Sequence, residues 1–355
     1  MVAAPPEGPR SDHVLPDREP PRFIARWDLD KTYLRTDFDT FRQLVRTALE
    51  RPDQKRTVPG AASLLRELSA AGGEIHILSG SPRQMRSRIE EKLRLDGARV
   101  DSLTLKPNLE NMLRLRLRAL RDQLGYKLPA LLRSHISRPP TPVLPETLLG
   151  DDAEADAFVY SLYADVCAGV VDIATLEQVM VRGKSYENNI LETVAHARAV
   201  TPAPTVRRIL IHLDRQLSPG RFAPYGPRVV PFYNYFQAAL VLSEDGLLPA
   251  DGVARVALEM VRDHRFDADG LARSYLELRR RGRVTGSLGP ALRQAVAGVG
   301  EGEKGANPDE RAVLSAMCDL LDRELPGVEA PEPPAEVTLD YLRLVETHNP
   351  RKSRH

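Results

Sequence analysis

Residues 23–32 read Phe-Ile-Ala-Arg-Trp-Asp-Leu-Asp-Lys-Thr, an apolar run that stops on two carboxylates one residue apart. Such a run suits a buried strand, and side chains two apart on a strand share a face. Asp28 and Asp30 therefore stand side by side if the chain is still extended there. If it turns, the backbone carbonyl of Asp30 faces inward instead. The pattern returns far downstream as Leu148-Leu149-Gly150-Asp151-Asp152, with Asp156 just beyond. Acids placed twice at strand ends restrict the fold to one that brings those ends together. A parallel α/β sheet does so at its carboxyl edge, where hard oxygens suit Mg2+ and phosphate chemistry.

The chain between residues 23 and 163 alternates in the manner such a sheet requires. Strands are expected at 23–27, 74–78, 100–105 and 147–149. Helices are expected at 37–51, after Pro59-Gly60 on the face carrying Leu64, Leu65 and Leu68, and through Met85, Ile89 and Leu93. Two more follow, one on the repeat Leu109, Leu113, Leu117, Leu120 and Leu124, the other from 128 to about 135. This predicts an α/β fold, a doubly wound parallel sheet covered on both faces. Beyond Tyr163 no further strand is evident. Helical spacing marks 172–182, 185–199, 229–243, 251–263, 269–281, 287–297 and 309–324. The expected organisation is a leader at 1–21, an α/β domain with trailing helices at 22–200, a helical domain at 205–328, and a linker and tail at 329–355. Pro202 and Pro204 mark the boundary.

Composition narrows the class. With 355 residues, two domains are the better prior. Fifty Lys and Arg against 49 Asp and Glu give a net charge of +1, so nothing demands nucleic acid or an anionic membrane as partner. No apolar stretch reaches the roughly 18 residues needed to cross a bilayer. The proline-rich start (Pro5, Pro6, Pro9, Pro16, Pro20, Pro21) lacks the apolar core of a signal peptide, so a cytoplasmic protein is expected. Cys167 and Cys318 read as reduced and buried thiols. Arg279-Arg280-Arg281-Gly282-Arg283 suits a solvated helix end, Asp267-Ala268-Asp269-Gly270 a helix cap, and the cluster Phe232, Tyr233, Tyr235 and Phe236 a packed core.

Asp28-Leu29-Asp30-Lys31-Thr32, Ser79 after the second strand, a lysine, and Gly150-Asp151-Asp152 with Asp156 resemble the four ordered motifs of haloacid-dehalogenase (HAD) superfamily phosphohydrolases. Leu78-Ser79-Gly80-Ser81-Pro82 with Gln84, Tyr126-Lys127 followed by Leu131-Leu132, and the spacing from Asp152 to Asp156 and Tyr160 are similar to the actin-patch-type phosphatidate phosphatase domain. The resemblance implies a HAD-like Rossmannoid fold over residues 22–165. It casts Asp28 as nucleophile, Asp30 as general acid and base, and Mg2+ as cofactor held by Asp28, Asp30, Asp151 and Asp152. Ser79 and Gly80 would bind phosphate, with Thr32 and Asp156 in support. The lysine that neutralises the transferring group is Lys127, with Lys106 as runner-up.

The expected activity is phosphomonoester hydrolysis through an aspartyl-phosphate, with phosphatidate as the substrate the branch resemblance implies. The alternatives are a phosphatase for another phosphomonoester (protein, nucleic-acid end or small metabolite) or a non-catalytic interaction protein that keeps the fold. Only about 50 residues separate Asp30 from Ser79, so no large cap is expected there. An open site suits bulky substrates.

Overall fold

The computed structural model describes residues 19–34, 57–106, 120–139, 141–153, 155–299, 305–329, 331–332 and 335–348. The helix expected at 37–51, most of the repeat at 109–117, residues 1–18 of the leader expected at 1–21 and the basic tail at 351–355 lie outside them.

Six parallel strands form one sheet: β1 (Phe23–Asp28), β2 (Gly73–Pro82), β3 (Ser102–Lys106), β4 (Glu146–Asp151), β5 (Val206–His212) and β6 (Val229–Phe232). Their order is β3-β2-β1-β4-β5-β6, so β1 and β4 are central neighbours. Parallel strands need crossovers, and helices supply them. They are α1 (Ala61–Ala70), α2 (Arg86–Leu95), α3 (Leu120–Ile136), α4 (Asp156–Cys167), α5 (Ile173–Arg182) and α6 (Glu187–Arg198). After β6 come α7 (Tyr235–Glu244), α8 (Ala250–His264), α9 (Ala268–Arg280), α10 (Leu288–Gly298), α11 (Pro308–Glu324) and α12 (Tyr341–His348). No helix among the described residues is long and apolar enough to cross a membrane.

Alternation along the strands sorts side chains onto two cores. Phe23, Ala25 and Trp27 of β1, Ile75 and Ile77 of β2, and Leu210 of β5 pack with α1, α2 and α7–α11. Leu148 of β4 and Ile209 and Ile211 of β5 pack on the other face with α3–α6 and α12.

The second half of the chain departs from the expectation in three ways. Segment 206–212 is a strand hydrogen-bonded to β4, and 229–232 is a strand where a helix was expected, so the sheet runs through the boundary placed at 201–205. The β5 run Ile209-Leu210-Ile211 is too short and too uniformly apolar to declare a period. Helices α7–α11 share one core with β1 and β2 rather than forming a module of their own. Finally, part of the expected linker is α12, whose Tyr341 and Val345 are buried against the α4–α5 face.

Candidate metal and phosphate site

β1 and β4 run parallel and in register from Ile24 opposite Glu146 to Trp27 opposite Leu149, so the acids that follow each strand emerge together. Asp28 and Asp151 are both buried at that edge. Asp156, the first residue of α4, folds back so that its Oδ2 accepts from the Asp151 backbone N–H at 3.1 Å. One carboxylate oxygen from each of Asp28, Asp151 and Asp156 lies within 4.8 Å of the others. Gly150 makes this possible: a Cβ there would sit 2.4 Å from Asp156 Oδ2, so any side chain would displace that carboxylate.

The counter-charge comes from the interior of α3. Lys127 Nζ donates to Asp156 Oδ1 at 2.5 Å and lies 3.0 Å from Asp28 Oδ1, with 1% of its side chain exposed. Three carboxylates against one ammonium leave two formal negative charges. Two carboxylates 4.8 Å apart repel by roughly 3–4 kcal/mol at an effective dielectric of about 20. Hard oxygens so placed fit a divalent cation, whose charge removes that repulsion. Asp156 already uses one oxygen on Lys127 and the other on the Asp151 amide, so the cation would rest chiefly on Asp28 and Asp151.

Asp30 stands apart from the buried triad. The chain turns after Asp28: Tyr33 and Leu34 both donate their N–H groups to the Leu29 carbonyl, at 3.0 and 2.8 Å. Asp30 Oδ2 accepts from Ser79 Oγ at 3.0 Å and from Ser81 Oγ at 3.3 Å. Ser79 Oγ in turn accepts from the Ser81 N–H. Residues 79–82 are part of β2, in a register shift against β3, so Ser79 caps no helix. A Cβ added at Gly80 would meet nothing within 4 Å, so the backbone there borders open space.

Two expected site residues lie elsewhere. Asp152 is not a member of the triad: its carboxylate accepts from the N–H groups of Arg215 and Leu217, at 2.9 and 3.3 Å, and organises the loop after β5. Among the described residues, the acids whose side-chain oxygens come close enough together to share a cation are Asp28, Asp151 and Asp156. Lys106 points its ammonium over the Tyr126 ring, 5.6 Å from the centroid, while Lys127 reaches the acids. Thr32 is buried, and its backbone carbonyl accepts from Tyr235 Oη at 2.5 Å.

Sequence reasoning quoted Tyr126 without giving it a task. Its hydroxyl donates to the Ser79 carbonyl at 2.7 Å and so fixes the serine segment from α3. His212 and Tyr235 went unnoticed as site neighbours, and no local motif marks either one. A cleft of about 350 Å3 lined by His135, Arg138, Glu146 and Thr205 opens at the opposite end of the sheet.

No protein-family model matches this chain, and no curated protein matches it at a significant level.

Proposed function

We propose that this protein is a divalent-metal-dependent phosphomonoester hydrolase that works through an aspartyl-phosphate on Asp28. The observation that carries the reading is Lys127 bridging Asp28 and Asp156 beside Asp151, at the carboxyl ends of the two central strands. Asp28 Oδ attacks phosphorus, and Asp30 gives a proton to the departing alcohol oxygen. Asp30 then takes a proton from the water that attacks the aspartyl-phosphate, which returns Asp28 and releases inorganic phosphate. The Ser79 and Ser81 hydroxyls, which donate to Asp30 Oδ2, hold its carboxylate at the mouth of the site. Lys127 sets the orientation of Asp28 and stabilises charge on the transferring group. Mg2+, held by Asp28 and Asp151, would supply electrophilic assistance and offset the acids' repulsion.

The resemblance to the actin-patch-type lipid phosphatase puts phosphatidate first among substrates to try. Purified protein with and without Mg2+ is assayed for phosphate release from phosphatidate in mixed micelles, phosphopeptides, 5′-phosphorylated oligonucleotides and small sugar phosphates. Metal-dependent release from one class, abolished by Asp28→Asn, is the expected result. Release that survives Asp28→Asn at the wild-type rate rejects the mechanism, and no release from any class rejects the function.

A further inference from the structure

The turn that carries Asp30 is held from the second half of the chain. Lys31 within it has φ 59°, a left-handed conformation that non-glycine residues avoid and that surrounding structure must enforce. The turn closes on itself through the Lys31 N–H, which donates to the Leu34 carbonyl, and through the two bonds to Leu29. Two of its other carbonyls are met from the second half of the chain. His212 Nδ1 lies 3.0 Å from the Lys31 oxygen, and Tyr235 Oη donates to the Thr32 oxygen at 2.5 Å. A carbonyl only accepts, so His212 carries its proton on Nδ1.

Both holders are rigid. The Tyr235 ring stacks on Trp27, centroids 5.8 Å apart at 15°, and Trp27 immediately precedes Asp28. His212 packs against Tyr235 and Phe232 at 5.6 and 5.4 Å. Burial, with a smaller contribution from the charges of Asp151 and Asp28, pushes the Tyr235 phenol well above its ordinary range, so it remains a donor. His212 also joins the two acid-bearing segments, because its backbone carbonyl accepts from the Asp152 N–H at 3.0 Å.

We infer that His212 and Tyr235 are positioning residues: they clamp the Lys31 and Thr32 carbonyls and thereby fix Asp30 relative to Asp28 and Asp151. The effect on turnover rests on the phosphatase reading above, whereas the clamp itself stands on the contacts alone.

Two readouts separate these. Hydrogen exchange of the peptide spanning residues 29–34 is compared in wild type, Tyr235→Phe, His212→Ala and His212→Asn. Tyr235→Phe keeps the stacked ring and loses only the hydroxyl, and His212→Asn retains an N–H donor near Nδ1. Faster exchange in Tyr235→Phe and His212→Ala, with β4 unchanged and protection recovered in His212→Asn, is expected. Unchanged exchange at 29–34 in both Tyr235→Phe and His212→Ala overturns the inference, whatever the activity. On a substrate cleaved by wild type, kcat should fall roughly 10- to 100-fold in those two variants with KM little changed, and recover in His212→Asn. A lower melting temperature with unaltered kcat per folded molecule would make both residues structural and also overturn it. If wild type cleaves no ester, the phosphatase reading fails and exchange alone decides the clamp.

Discussion

Lys127 Nζ sits 2.5 Å from Asp156 Oδ1 with both side chains withdrawn from solvent, although they come from different helices. A buried ammonium needs a partner to remain charged, and Asp28 Oδ1, 3.0 Å away, serves this one beside Asp156. The pair also explains why Asp156 begins α4: its carboxylate must reach back to both Lys127 and the Asp151 amide.

Removing that ammonium should be costly. Lys127→Met keeps the length of the side chain and removes the ammonium that Asp28 and Asp156 share. Breaking a buried ion pair from one side costs about 3–5 kcal/mol. The unfolding midpoint in chelator should fall sharply and recover in part with saturating Mg2+, while Lys106→Ala should be mild. Thermal unfolding with and without the cation measures both. Comparable losses in the two variants would remove the basis for preferring Lys127.

Asp151→Asn is expected to act in the opposite direction on stability. Its Oδ1 accepts from the Ala153 N–H at 2.5 Å, a bond an asparagine oxygen can keep. The substitution removes a charge that repels Asp28 and Asp156, so the chelated protein should gain stability, with the screened repulsion of roughly 3–4 kcal/mol per pair as the scale. The same change takes away a hard ligand, so the stabilisation by added Mg2+ should largely vanish. Calorimetry across a Mg2+ titration reads both quantities. A wild-type-sized cation effect in the variant would show that the triad is not the metal site.

A second buried ionic cluster governs the acid limb of stability. Burial alone would raise the Glu146 carboxyl, but Arg26 and His135 outweigh it and hold the group well below its ordinary value of 4.5. Glu74 is brought down to about 2 by hydrogen bonds from His76 and then Arg138. A carboxyl depressed in the folded state adds stability above its unfolded pKa and loses it as pH falls toward the folded one. Glu146→Gln should therefore be less stable than wild type at pH 7, by about 3–5 kcal/mol for a one-sided break of a buried pair. The gap should narrow steadily below pH 4.5. Urea unfolding at several pH values tests the sign, and a gap that widens in acid contradicts it.

Legibility in the sequence followed the range of the interaction. β1 and β4 with their acid-bearing ends could be read because apolar runs stop abruptly on Asp28 and Asp151, and β2 and β3 from short apolar runs that end near Ser79 and Lys106. Helices 172–182 and 269–281 could be read from spacing, and they form at Ile173–Arg182 and Ala268–Arg280. β5 and β6 could not, since each is a short buried run without alternation, and β6 leads almost directly into α7. Ser79 could be named, but not the register shift that turns it toward Asp30. Asp152 and Asp156 are indistinguishable as neighbours of Asp151. Only the three-dimensional contacts assign one to Arg215 and Leu217 and the other to Lys127. His212 and Tyr235 reach the Asp30 turn across 181 and 203 positions, a separation at which no local pattern carries information.

The C-terminal helix supplies a last prediction, because residues 329–355 were expected to be no more than linker and tail. Tyr341 of α12 donates its hydroxyl to Asp165 Oδ2 at 2.5 Å, and its ring meets Phe158 edge-on at 5.8 Å. Asp165 also holds Arg228 at 2.7 Å, so one carboxylate ties α12 and the approach to β6 to the end of α4. Val345 is buried beside them, and Arg182 of α5 pairs with Glu346 at 3.1 Å on the surface. The surface pair contributes little. Burying Tyr341 and Val345 contributes about 1.5–3 kcal/mol each. A chain ending at residue 335 should melt roughly 5 °C lower, at about 1–2 °C per kcal/mol for a protein of 355 residues. Tyr341→Phe, which keeps the ring and loses the hydroxyl, should account for only about 1 kcal/mol of that. The acid site lies at the other end of α4, so catalysis per folded molecule should be unchanged in both. Scanning calorimetry of the two variants settles the matter: equal melting of the shortened and full-length chains would mean that α12 does not belong to the folded core.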